Sequence, residues 1–326
     1  MPSSTSAFKD RPLLRAAIVL IAGCVAIGVA AELAARVGLD RISKTQRRVA
    51  EEYRNAIASS RTDGRRVALF LGNSVLDEGV RFDRVRDRLA PGWDARRFVV
   101  EQTFYNDWLY GLRRLLREGA RPDVVVITLT PVQWIRDDIR GDYSAQYLMT
   151  TRDAAAAARE LHMHPTEGTN FLFASLSKFW GTRAEIRNVV LGRIMPDIDR
   201  LMTYSAVIST AEIKDAEIER VVAVRLARMR ELTDAHGARL LALVVPVLNP
   251  VDGAKGLVNA GAQAGVPVLA PVNSGTYPST FYRDGFHLNS TGADRFTEQL
   301  VEPLQSTLEE TVGGAGRLRA ARTDDR

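Results

Sequence analysis

The chain has 326 residues, of which 46% are hydrophobic and 25% charged, the proportions of a globular protein large enough to bury a core. Its formal charge of +5 does not point to nucleic acid. Residues 1–65 carry eleven Lys/Arg against six Asp/Glu, and the rest is balanced at 33 of each sign, so the basic excess flanks one apolar segment, where it suits lipid headgroups.

That segment runs from Leu13 to Leu39, and Ala16 to Ala31 is free of charge. About 20 apolar residues span a bilayer, so residues 13–39 read as a single membrane anchor closing a first unit, 1–39. No polar stripe interrupts residues 16–31, which argues against a buried amphipathic helix. Ala30 and Ala31 suit signal cleavage, and Ile21-Ala-Gly-Cys24 has the form of a lipoprotein box. The residues after Cys24 stay apolar, however, which favours an uncleaved anchor. Cys24 is the sole cysteine, so no intramolecular disulfide forms. Lys9, Arg11 and Arg15 precede the span, while Arg36, Arg41, Lys44, Arg47 and Arg48 follow it; counting them alone keeps the C-terminal side cytoplasmic.

Residues 40–64 are charged and lack strand alternation, reading as a helical juxtamembrane stalk ending at Thr62-Asp-Gly64. The next unit, 65–312, alternates short aliphatic runs with helical patterns. Arg66–Leu71 predicts a buried strand, Val80–Leu89 a helix stopped by Pro91-Gly92, and Phe98–Val100 a strand. Trp108–Glu118 follows as a helix and Asp123–Leu129 as a strand; Glu212–His236 is a long helix, Arg239–Val247 and Val266–Leu269 strands, and Gly292–Leu308 a closing helix. Such alternation implies an α/β three-layer sandwich around a mostly parallel sheet. An insertion at about 132–205 breaks it, with a helix at Ala154–Leu161 and an aromatic cluster of Phe171, Phe173, Phe179 and Trp180. It reads as a small helical core, and equally as a lid or substrate platform. The Gly/Ala/Arg-rich tail, 313–326, predicts disorder.

Two segments carry chemistry. Ser74 follows the first strand in Phe70-Leu-Gly-Asn-Ser74-Val-Leu-Asp-Glu-Gly79, with a helix expected from about Gly79. A serine there can cap that helix. It can equally serve as a nucleophile whose own N–H helps bind an oxyanion. Asp284 stands three residues before His287 in Asp284-Gly-Phe-His287-Leu-Asn-Ser-Thr-Gly292, a spacing that lets the carboxylate hold one ring nitrogen and turn the other towards a nucleophile. Asn289 or Ser290 caps the helix that follows. His162-Met-His164 lacks a third ligand nearby, so no metal and no cofactor is expected.

These two blocks resemble those of the SGNH (GDSL-like) hydrolase superfamily, in which the first reads Gly-Asp-Ser and the last Asp-x-x-His. Here the first is Gly72-Asn73-Ser74, with Asn for Asp, and the last matches fully. The resemblance spans residues 66–311 and implies an SGNH/flavodoxin-like sheet, with Ser74 as nucleophile, His287 as base and Asp284 as its orienter. Two middle blocks depart from the pattern. Gln102-Thr-Phe-Tyr-Asn106 lacks the family's oxyanion glycine, and Thr128-Leu-Thr130-Pro131 replaces Gly-x-Asn-Asp, leaving Thr130 and Asn106 beside Ser74 as oxyanion candidates.

The Asn variant, the anchor and the insertion resemble a membrane-anchored branch, the polysaccharide O-acetyltransferases. That likeness implies a bacterial inner-membrane protein with its catalytic unit outside the cytoplasm. It would act on a carbohydrate polymer, with a membrane protein delivering acyl groups. Two other readings stand beside it: a lipid esterase or lysophospholipase, and an inert SGNH-like binding subunit of a polysaccharide assembly complex.

Overall fold

A computed structural model describes residues 11–60, 64–195, 214–249 and 253–323. The first ten residues, Thr62 and Asp63 of the expected stalk end, residues 196–205 of the insertion, the start of the helix expected from Glu212, and the last three residues of the tail lie outside it.

Helix α1 (Arg11–Ile42) is followed by α2 (Lys44–Ile57), the two separated by Ser43, which takes an extended conformation and caps α2. The helical prediction for 40–64 fits α2, but its place as a free stalk does not. Val49 and Ala56 are fully buried, and Glu52 pairs with Arg97 at 2.7 Å and accepts the Val99 N–H at 2.8 Å. The apolar residues Val49, Tyr53, Ala56 and Ile57 recur at helical spacing, so α2 has a face to bury, and it buries it against the sheet.

The sheet contains β1 (Arg66–Gly72), β2 (Trp93–Val99), β3 (Val124–Thr128), β4 (Arg239–Leu243) and β5 (Val268–Leu269), all parallel, in the order β2-β1-β3-β4-β5. Between β1 and β2 lie α3 (Ser74–Gly79) and α4 (Phe82–Leu89), and α5 (Tyr105–Arg117) leads to β3. The insertion adds α6 (Pro131–Ile135), α7 (Asp142–Tyr147), α8 (Thr151–Glu160), α9 (Pro165–Leu176), α10 (Lys178–Gly181) and α11 (Arg183–Ile194). Then come α12 (Asp215–Asp234), α13 (Ala254–Ala264), which the sequence reading missed, and α14 (Ser290–Thr323).

Alternation along β1 assigns the two layers. Leu69 and Leu71 join the core beneath α5, α12 and α13, whereas Ala68 and Phe70 face the core formed with α3, α4 and α14. The chain is therefore an α/β three-layer sandwich with a parallel sheet, an N-terminal apolar helix and a helical insertion. In this strand order the winding reverses between β1 and β3, and open sheets bind ligands at that point, at the carboxyl ends of the strands.

Two boundaries differ from the sequence reading. The first strand runs to Gly72 and the helix begins at Ser74 itself, because Asn73 caps it; Val80 then breaks the chain into two helices instead of one. At the other end α14 continues through Gly313 to Thr323, where composition predicted a disordered tail. Extending a formed helix is far cheaper than nucleating one. The aromatic cluster does not form one core: Phe171 is buried, while Phe173 and Trp180 are exposed.

Candidate active site

Gly72, at the end of β1, pairs with Val99 on one side and Thr128 on the other. A Cβ there would lie 2.8 Å from the Thr128 carbonyl oxygen and 3.0 Å from Leu76 Cβ, so the close approach of α3 to the sheet requires glycine. The fully buried Asn73 uses both ends of its amide. Oδ1 accepts the Val75 N–H at 3.0 Å, and Nδ2 donates to the Thr103 carbonyl at 2.9 Å. The first bond caps α3; the second ties it to the loop after β2. Aspartate, the residue of the SGNH pattern, could cap but not donate. Ser74 is thus the first residue of α3, where a backbone N–H has no partner within the helix.

The Asp284–His287 turn is built separately. An antiparallel bridge between Tyr282 and Leu288 closes its base, and Gly285, at φ +78°, takes the left-handed conformation that the turn requires. Asp284 Oδ1 accepts the N–H groups of Phe286 at 3.0 Å and His287 at 2.7 Å, leaving Oδ2 facing His287 Nδ1 at 2.8 Å. Asn289 caps α14, accepting the Gly292 N–H at 3.1 Å, and its amide holds the Thr280 carbonyl at 2.7 Å. Partial burial pushes the Asp284 pKa up, but the backbone and ring hydrogen bonds from His287 and the Phe286 amide outweigh it and hold the carboxyl at about 2.

The two parts meet across 213 residues of sequence: His287 Nε2 lies 2.9 Å from Ser74 Oγ. With Nδ1–H donated to the ionised Asp284, Nε2 is left as the acceptor for the serine hydroxyl proton. Serine, imidazole and carboxylate stand in the order needed to deprotonate Ser74 and stabilise the resulting imidazolium.

The oxyanion candidates lie on the loops flanking β1. Asn106 is the second residue of α5 and Thr130 is the N-cap of α6; the rings of Tyr105 and Trp134, tilted to one another with centroids 5.9 Å apart, join the two helices. Asn106 Nδ2 and Thr130 Oγ1 are buried and have no hydrogen-bond partner among the described residues. An orphaned buried polar group costs about 1–3 kcal/mol, so both are polar atoms whose hydrogen-bonding capacity the described residues leave unused.

Three features escaped the sequence reading. Gln102 adopts φ +57°, a left-handed conformation uncommon for a residue other than glycine, and no residue type announced it. Arg283 and Glu78 pair beside the triad, and neither spacing nor motif marks them. His164 accepts the Thr166 N–H as the N-cap of α9.

No family model and no curated protein matches the chain. Among solved structures, LAE5, an alpha/beta hydrolase enzyme from the metagenome of Lake Arreo in Spain, is similar over 78% of this chain and 99% of its own, with a TM-score of 0.40 and 10% identity. A catalytic mutant of Axe2, an acetylxylan esterase from Geobacillus stearothermophilus, is similar over 74% of this chain and 95% of its own, with a TM-score of 0.38 and 10% identity.

Proposed function

We propose that this chain is a serine-dependent acyl-ester enzyme of the SGNH type that transfers or hydrolyses an O-acyl group, acetyl by preference, on a bacterial surface polysaccharide. The observation that carries the reading is the 2.9 Å contact of His287 Nε2 with Ser74 Oγ, backed by Asp284 on the opposite ring nitrogen. Ser74 Oγ attacks the acyl carbonyl as its proton passes to His287 Nε2. The imidazolium returns that proton to the departing alcohol, leaving acyl-Ser74. A sugar hydroxyl or water then gives its proton to His287 and takes the acyl group, regenerating serine. The Ser74 N–H and the side chains of Asn106 and Thr130 serve as oxyanion donors.

The polymer substrate, the extracytoplasmic location and a membrane partner that delivers acyl groups belong to this proposal and rest on the resemblance and the apolar N-terminal helix. That helix, Pro12–Ile42, is long and apolar enough to cross a membrane. The test is to treat the full chain in detergent with a fluorophosphonate probe and map the adduct by mass spectrometry. Labelling of Ser74 that is lost in Ser74→Ala and His287→Ala is the expected result. Folded protein that neither labels nor forms an acyl-enzyme with an activated acetyl ester overturns the proposal in favour of a binding subunit.

A further inference from the structure

We propose that the α9–α10 surface of the insertion rests in the headgroup layer of the same bilayer that α1 crosses, so that the protein is held by an interfacial patch as well as by its anchor. The inference rests on reading α1 as a membrane span. Two independent boundaries coincide on that helix. A span beginning at Leu13 needs about 20 residues and so ends near Glu32. Residues 12–30 are all exposed, and protein contact begins at Ala31 and Glu32, with Ala35 and Leu39 buried.

Helix α10 docks at that level. Glu32 accepts the Lys178 and Phe179 N–H groups, both at 3.0 Å, and the Ser177 hydroxyl at 2.7 Å. Lys178 then reaches Asp40 at 2.8 Å, ~12 Å further along α1 from the span, as a lysine does when its stem lies in the interface and its ammonium seeks water. Beside this joint Phe173 (56% exposed), Leu176 (59%) and Trp180 (38%) lie uncovered, with the Phe173 and Trp180 rings 6.5 Å apart. The Arg183 guanidinium lies over the Trp180 ring at 4.7 Å. Exposed aromatics flanked by basic side chains, at the depth where a span leaves the hydrocarbon, match the belt that anchors proteins in the headgroup region.

The tryptophans provide a selective readout. Trp93, Trp108 and Trp134 are at most 1% exposed, so Trp180 alone among the four is open to lipid. The full chain is reconstituted into phosphatidylcholine/phosphatidylglycerol vesicles whose acyl chains are brominated either near the headgroup or near the chain end. Shallow bromines are expected to quench on the order of a quarter of the emission, one tryptophan of four. Deep bromines quench less, Trp180→Phe abolishes the difference, and Phe173→Ser reduces it. In parallel, Cys24 at mid-span is tested with a water-soluble maleimide. Cys24 protected in vesicles with no quenching specific to Trp180 overturns the interfacial patch and leaves the anchor standing. Cys24 labelled in intact vesicles overturns the anchor reading and the patch with it.

Discussion

Arg283 donates to Glu78 at 2.7 Å, joining the turn that carries Asp284 and His287 to the helix that carries Ser74. The same guanidinium stands 3.3 Å from both Asp284 Oδ2 and His287 Nδ1. The pair therefore sets the distance between two parts of the triad that no other salt bridge joins among the described residues. Its side chains are 56% and 30% exposed, so solvent screening limits its worth to about 1 kcal/mol, or roughly fivefold in rate. Arg283→Ala and Glu78→Gln are each expected to lower kcat for p-nitrophenyl acetate by up to that factor, with KM nearly unchanged. An effect on KM alone would show that the pair does not position the triad.

Asn73→Asp converts Gly72-Asn73-Ser74 to Gly-Asp-Ser, yet is expected to damage this protein. It places a carboxylate oxygen against the Thr103 carbonyl at a fully buried position, trading a 2.9 Å hydrogen bond for repulsion. The cost is about 2–3 kcal/mol. Denaturant unfolding measures it, and a variant as stable as the parent would contradict the role given to the amide.

Asn106 and Thr130 are predicted to separate activity from stability. Replacing one oxyanion donor typically costs about 10²–10³ in kcat. Asn106→Ala and Thr130→Val should show losses of that order with a melting temperature no lower than the parent's, since each removes a buried polar atom that lacks a partner among the described residues. Unchanged kcat in both variants would remove these side chains from the oxyanion site.

The pH dependence of stability follows Asp107. This carboxylate is fully buried, and burial raises its pKa from 3.8 to about 6 against opposing hydrogen bonds from the Phe104 and Arg140 amides. The folded state therefore holds the proton more tightly, so this contribution is complete below 3.8, declines as pH rises to about 6, and stays lost above it. Its size is about 3 kcal/mol. Asp284 acts with the opposite sign: its contribution is present above 3.8 and is lost as pH falls towards about 2. Urea midpoints measured across the first window should fall with pH in the parent and flatten in Asp107→Asn. An acid limb in kcat/KM above 3.8 does not come from Asp284.

The sequence by itself determined the layers and pointed to the groups proposed to react. The aliphatic run Asp123–Leu129 pointed to an inner parallel strand, and the apolar segment 13–39 is recognised without reference to any partner. Ser74, Asp284 and His287 were legible because each lies in a short local block whose residue types carry the chemistry. Only the tertiary structure decided how those blocks meet. Arg283 on Glu78, and the atoms of Asn106 and Thr130 left without partners among the described residues, depend on elements distant in sequence. The same holds for α2, which composition marked as a charged stalk: its charges pair with Arg97 and the end of β2, and that pairing exists only once the sheet is assembled. Periodicity reports which face of an element is apolar; which partner covers that face is settled by the packing of the whole chain.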